Sequence, residues 1–156
     1  MEEQKINNAL NTEVKQYMVF KLGNDEYGVS IGHITSIITP IAITRVPKAP
    51  GYIKGVINLR GEIIPVMDFR EKFDLLASEE TEETRIIIFN INQASLGGIV
   101  DAVLEVVSLQ NSMIEVKANY SNENNQDCIF GVAKVDGRII RLLDLNNLIM
   151  SIKSDT

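Results

Sequence analysis

The chain has 156 residues, 45% apolar and 23% charged, with a formal net charge of −6. That length suffices for one domain with a proper core or for two very small ones, and the acidic balance argues against a nucleic-acid partner, because phosphate binding needs a basic surface. A single cysteine, Cys128, excludes an intrachain disulfide and suits a cytosolic protein.

The first residues, MEEQKINNALNTEVKQ, are polar and acidic and lack the apolar run of a signal peptide. Residues 1–12 read as a mobile end. QYMVFKL and EYGVSI follow as strands around Gly23-Asn24-Asp25, a hairpin signal. HITSII has apolar residues at every third position, which suits a short helical turn as well as a strand. ITRVPKAPGYIKG (43–55) is a stiff basic loop with two prolines and two lysines. GVINL and EIIPVMDF then flank Arg60-Gly61 as a second hairpin, and Pro65, having no donor N–H, places its strand at an edge or a bulge.

FREKFDLL starts a short helical pattern, and ASEETEET (77–84) is an acidic, apolar-poor junction. The uncharged stretch 86–100 is interrupted by Asn90, Asn92, Gln93, Gly97 and Gly98, so it is too short and too polar to span a membrane. AVLEVV repeats the ambiguity of HITSII. After the polar loop NYSNENNQD (119–127), GVAKV and RIIRLLDL flank Asp136-Gly137, a short helical pattern LNNLIMSI follows, and 151–156 read as a second mobile end.

The chain contains a duplication. At an offset of 76, IKGVINLRGEIIPVMDF (53–69) matches IFGVAKVDGRIIRLLDL (129–145) with seven identities in seventeen ungapped positions. At an offset of 69, Gly28, Ile31, Ile34, Ile37 and Ile38 meet Gly97, Val100, Val103, Val106 and Val107, and the polar loop absorbs the difference of seven. Two related units are therefore expected, at 19–84 and 85–150, each a small closed antiparallel barrel of short strands. The strand at 13–18 is expected to complete the second barrel, and units this small should pack on each other.

The duplication supplies a control for the turn at Arg60. The second copy places Asp136-Gly137 there, the pairing preferred where both central residues need positive φ. Backbone geometry alone would not choose Arg60, which is thus a candidate functional residue set against a plain solvated turn arginine. Asp68 and Asp144 look like a carboxylate pair, but each ends a strand before a helical pattern and reads as an N-cap, Asp68 with Glu71 three residues on in a variant capping box. His33 and Cys128 offer a Cys-His dyad without any recognisable nucleophile motif. Too few ligands are present for zinc, and no glycine loop has the spacing of a nucleotide site. No cofactor is expected. What is left is surface for partners: Ile34, Ile37, Val103 and Val106, in corresponding places of the two copies, are either core residues, the commoner case, or line a groove between the barrels that could hold an amphipathic helix.

QYMVFKLGNDEYGVSI, ITRVPKAPGYIKGVINLRGEIIPVMDFREKF, GGIVDAVLEVVSL and FGVAKVDGRIIRLLDLNNLI closely resemble the CheW family of bacterial chemotaxis coupling proteins, over roughly 14–150. The resemblance implies a mainly β fold of two tandem SH3-like five-stranded barrels with short helical segments. It also implies a non-enzymatic, cytoplasmic adaptor, recruited to membrane-associated arrays without inserting into the membrane. Such a protein joins the helical-hairpin tips of methyl-accepting chemoreceptors to the regulatory domain of the CheA-type histidine kinase. Carried onto this sequence, the kinase surface comprises Ile37, Ile38, Asn58, Arg60 and Gly61, and the receptor groove comprises Ile34, Thr84, Arg85, Val103 and Val106. Family members make a second kinase contact through the second barrel; the divergent 117–130 loop gives it no residues here. Many relatives carry Glu, a plausible partner for the arginine, where this chain has Ser36; without that ion pair Arg60 is left to bond to Ser36, to another acid or directly to the partner. A similar scaffold in a signalling array unrelated to motility is the alternative reading.

Overall fold

The computed structural model describes residues 13–116 and 128–155; the segments 1–12 and 117–127 and Thr156, with the expectations that fall on them, lie outside these. In chain order the described strands are β1 (Val14–Leu22), β2 (Asp25–Ser30), β3 (Ile34–Ile38), β4 (Ile53–Leu59), β5 (Glu62–Asp68), β6 (Arg85–Ile91), β7 (Ala94–Val100), β8 (Ala102–Gln110), β9 (Ile114–Val116), β10 (Ile129–Val135) and β11 (Arg138–Leu143). Helix α1 is Phe69–Lys72 and helix α2 is Leu145–Asp155, and 3-10 turns occupy Ile31–His33 and Asn111–Met113. The two ambiguous segments thus resolve: HITSII is the end of a 3-10 turn running into β3, and AVLEVV is strand.

The strands form two sheets, ordered β8-β1-β2-β11-β10-β9 and β3-β6-β7-β5-β4. These are the two SH3-like barrels, the former with six strands where five were expected because the short β9 adds to β10, and the duplication is written into their details. The register shift between Ile53 and Gly55 recurs between Ile129 and Gly131. The bond from Asp68 N to Tyr52 O (2.7 Å) recurs from Asp144 N to Cys128 O (2.6 Å).

The 84/85 boundary separates the two sequence copies but not the two sheets. The hairpin β1–β2, from the first copy, lies between β8 and β11 of the second, while β6–β7 lies between β3 and β5 of the first. The copies have exchanged their first hairpins. Each exchange is sealed by a parallel pairing, β2 with β11 and β5 with β7, so neither barrel is purely antiparallel as its short strands suggested. A hairpin signal fixes which strands are consecutive neighbours, but not which copy's sheet the hairpin joins.

Burial explains the uninterrupted apolar runs. In β6, Ile86 and Ile88 face the core of one barrel with Ile57, Ile64 and Val66, while Ile87, Phe89 and Ile91 face a larger core between the barrels. In β1, Tyr17 and Val19 face the other barrel's core, whereas Phe20 and Leu22 turn to the shared one. A strand buried on both faces needs no polar alternation. Phe20, Phe69 and Phe89 are fully buried in the shared core, with ring centroids 5.7 and 6.1 Å apart for Phe20–Phe69 and Phe69–Phe89. Each fully buried side chain of this size contributes about 1.5–3 kcal/mol, so the barrels are held against each other mainly by hydrophobic burial.

Three local expectations are refined. Pro65 lies in a strand flanked on both sides, yet the pairing of β5 with β7 begins only at Val66, so no ladder bond is lost at the proline. Asp68 caps α1 by accepting from Arg70 N (2.9 Å), but its capping box does not close: Asp68 N donates to Tyr52 O, and Glu71 pairs with Lys54. The expected mobile end at 151–156 is instead helical as far as Asp155. Leu145, Leu148, Ile149 and Ile152 give α2 an apolar face on the shared core, which carries the helix past the end of the duplicated pattern.

Candidate interaction surfaces

The β4–β5 turn holds Arg60 at φ 53° and Gly61 at φ 85°; the equivalent turn holds Asp136 at 51° and Gly137 at 80°. The two backbones coincide, so the arginine is not there for the turn's sake. Asn58 Oδ1 accepts the Gly61 N–H at 3.0 Å and closes the turn. Arg60 is exposed and has no hydrogen bond or ion pair among the described residues, to Ser36 or to any acid. On the outward face of the same hairpin Ile63 is 60% exposed.

Of the five residues assigned to this surface, Asn58, Arg60 and Gly61 are brought together by the turn. Ile37 and Ile38 are on β3, at the opposite end of the sheet's pairing order from β4. Ile38 packs on the core beneath, and Ile37 lines a different depression.

That depression, of about 370 Å³, lies where β3 and the starts of β6 and β8 meet, and is lined by Ile37, Glu83, Arg85, Ala102, Val103 and Leu104. Of the five residues expected in the receptor groove, Arg85 and Val103 line this depression. Arg85 Nη1 is turned back onto the carbonyls of Glu82 (2.8 Å) and Thr84 (2.7 Å). Ile34 and Val103 are partly buried against the shared core, and Val106 is exposed on β8. Thr84 is largely buried: it is 7% exposed, at the edge of a crevice beside the acidic segment, and its hydroxyl accepts from Thr81 N at 2.9 Å, which pins the end of that segment.

Leu104, 44% exposed, also lines the depression and was not among the residues expected there. The β1–β8 register steps from Val19↔Glu105 to Phe20↔Val103, leaving Leu104 as the extra residue of a bulge. A bulge re-aims a side chain and breaks the two-residue period by which sequence patterns are read.

The crevice beside the acidic segment, which adjoins this depression and shares Glu83 and Ala102 with it, contains an ionic clamp. Arg70 donates from Nε to Asp101 Oδ1 (2.7 Å), from Nη2 to Asp101 Oδ2 (2.5 Å) and from Nη1 to Leu76 O (2.8 Å), and Asp101 Oδ2 also accepts from Gly23 N (2.7 Å). Burial pushes the Asp101 carboxyl up, but the Arg70 bonds, the Gly23 N–H and the nearby positive charges outweigh it and hold the group below its ordinary value. Asp68 goes the other way, raised mainly by burial despite the Arg70 N–H.

Cys128 is buried in the shared core, and His33 is half-buried beside Lys15 and Asp144. Among the described residues no group of three or more His, Cys, Asp or Glu side chains could hold a metal ion. No described helix is long and apolar enough to cross a membrane.

Residues 16–153 match the family model described as the CheW-like domain. The chain is 32% identical over 139 residues to the chemotaxis protein CheW of Helicobacter pylori, covering 89% of this chain and 84% of that one. It is 34% identical over 140 residues to the chemotaxis protein CheW of Bacillus subtilis, covering 88% and 90%. Among solved structures it is similar to the scaffolding protein TtCheW from Thermoanaerobacter tengcongensis, with a TM-score of 0.78 and 34% identity over 84% of this chain and 89% of that one.

Proposed function

The chain belongs to the family of CheW-like domains, and from that membership we propose that it is a non-catalytic chemotaxis adaptor, coupling the cytoplasmic helical-hairpin tips of chemoreceptors to the regulatory domain of a CheA-type histidine kinase. It works in the cytoplasm, at membrane-associated receptor arrays, by contacts alone. The observation that carries the reading is Arg60: an exposed arginine without a partner among the described residues, on a turn whose backbone is reproduced by Asp136-Gly137 in the other copy. An arginine offers a fixed fork of donors that suits carboxylates and carbonyls on another surface.

The kinase contact is centred on Arg60 and Ile63, with Asn58 and Gly61 setting the turn. The receptor helix is received by the depression beside Ile37, Val103 and Leu104, which adjoins Ile34 and Val106. An amphipathic helix seats its apolar face in such a groove through residues spaced i, i+3, i+4 and i+7.

The test is a calorimetric titration of the protein with the kinase regulatory domain, wild type beside Arg60→Ala, with circular dichroism confirming that both are folded. Saturable wild-type binding weakened about tenfold or more in the folded variant is expected. Equal binding by both would move the contact away from the turn. No wild-type binding at high micromolar concentration would favour a scaffold for another signalling array.

A further inference from the structure

Six arginines occur in the chain. Arg70 is paired with Asp101, Arg138 with Glu26 and Glu105, Arg141 with Asp25, and Arg85 with two backbone carbonyls. Arg45 and Arg60 are exposed and have no such partner among the described residues.

These two share one edge. Thr44 and Val56 exchange both backbone bonds at 2.8 Å, which lays the segment around Thr44 along the outer side of β4. In that antiparallel pairing Arg45 falls opposite Gly55, five residues before Arg60. At about 3.3 Å per residue the two guanidinium-bearing positions are roughly 16 Å apart along the edge.

The concavity immediately behind the loop has the same sign. It is lined by Arg45, Lys48 and Lys54 with no acidic side chain, and of these Lys54 is paired with Glu71 on α1. From Tyr27 to Gly61 the sequence has no Asp or Glu at all, and its four lysines and arginines stand against a net −10 for the remainder of the chain. Val46 and Ile63 add 43% and 60% exposed apolar side chains. The adjoining crevice carries Asp68, Glu79, Glu80 and Asp101 beside Arg45, Lys54 and Arg70; Asp101 is held by Arg70, and neither glutamate forms an ion pair with Arg45 or Lys54 among the described residues.

We propose that this edge receives an acidic segment of the kinase regulatory domain, whose carboxylates are met by Arg45 and Arg60 and whose apolar side chains lie on Val46 and Ile63. The proposal rests on the reading of the Arg60 turn given above and extends it by a second recognition residue, Arg45, and by the partner's chemistry. Planar guanidinium forks suit carboxylates bidentately. An anionic bilayer is the poorer occupant: the chain is net negative, and the cations are set around a concavity that a flat surface cannot enter.

Arg45 is exposed on a loop, so its substitutions leave the core untouched. In the same titration Arg45→Glu is expected to bind about tenfold more weakly and to lose part of the salt dependence of wild type, with Arg45→Lys between the two. Wild-type affinity in Arg45→Glu, with Arg60→Ala still impaired, would overturn the inference and leave the adaptor reading standing. Absence of wild-type binding to the kinase domain would overturn both. Co-sedimentation of wild type, but not Arg45→Glu, with phosphatidylglycerol vesicles would assign the edge to lipid and overturn the inference alone.

Discussion

Gly55 and Gly61 differ by six residues and by the reason each is a glycine. At Gly61 a side chain would meet nothing within 4 Å, and only the positive φ opposes it. At Gly55 a Cβ would lie 2.0 Å from the Thr44 carbonyl oxygen, at φ +146°. Gly61→Ala is therefore expected to cost about 1 kcal/mol of conformational strain. Gly55→Ala should cost about 3 kcal/mol or more, because the backbone pair between Thr44 and Val56 must part. Urea unfolding of the two variants measures the difference, and equal losses would mean that the Thr44 pairing is easily displaced. At this scale the sequence was informative because it held two copies: comparison of Arg60 with Asp136 isolated the one turn residue that backbone preference does not explain. Thr84 was not legible, since its burial depends on the fold of the acidic segment above it.

The elements that frame the groove are held by the Arg70–Asp101 clamp, which joins α1, the β1–β2 turn and the start of β8. Because the folded carboxyl of Asp101 sits below its unfolded value, its contribution is complete above the ordinary carboxylate range and is lost as pH falls through the lower folded value. Asp101→Asn should thus lower stability at neutral pH by roughly 1 to 2 kcal/mol and less in acid, so that its unfolding curves approach those of wild type as pH falls. Denaturant unfolding across an acid series checks this; a deficit that persists undiminished in acid would show that packing, not charge, carries the clamp. Strands and caps were readable from period-two runs, glycine turns and Asp68 and Asp144. The bulge that exposes Leu104 was not, because one extra residue shifts the pattern without leaving a compositional mark. Nor was the full length of α2, whose apolar face acquires meaning only against the shared core.

At the scale of the molecule, the exchanged hairpins and the shared core make two barrels into one body. The duplication announced two units, and composition announced that neither was large enough alone. The exchange itself was hidden, because identical hairpin signals fit either partner sheet equally well. Its consequence is that β3 and β8, from different copies, lie on either side of one depression, while the Arg60 edge belongs to the barrel that β3 also enters. The most direct test mixes a chemoreceptor cytoplasmic hairpin fragment with the CheA-type kinase, with and without this protein, and sediments the receptor assemblies. The account predicts that kinase pellets with receptor when the protein is present and stays in solution when it is absent, and kinase that sediments equally in both cases, or a protein that joins only one of the two partners, would contradict it.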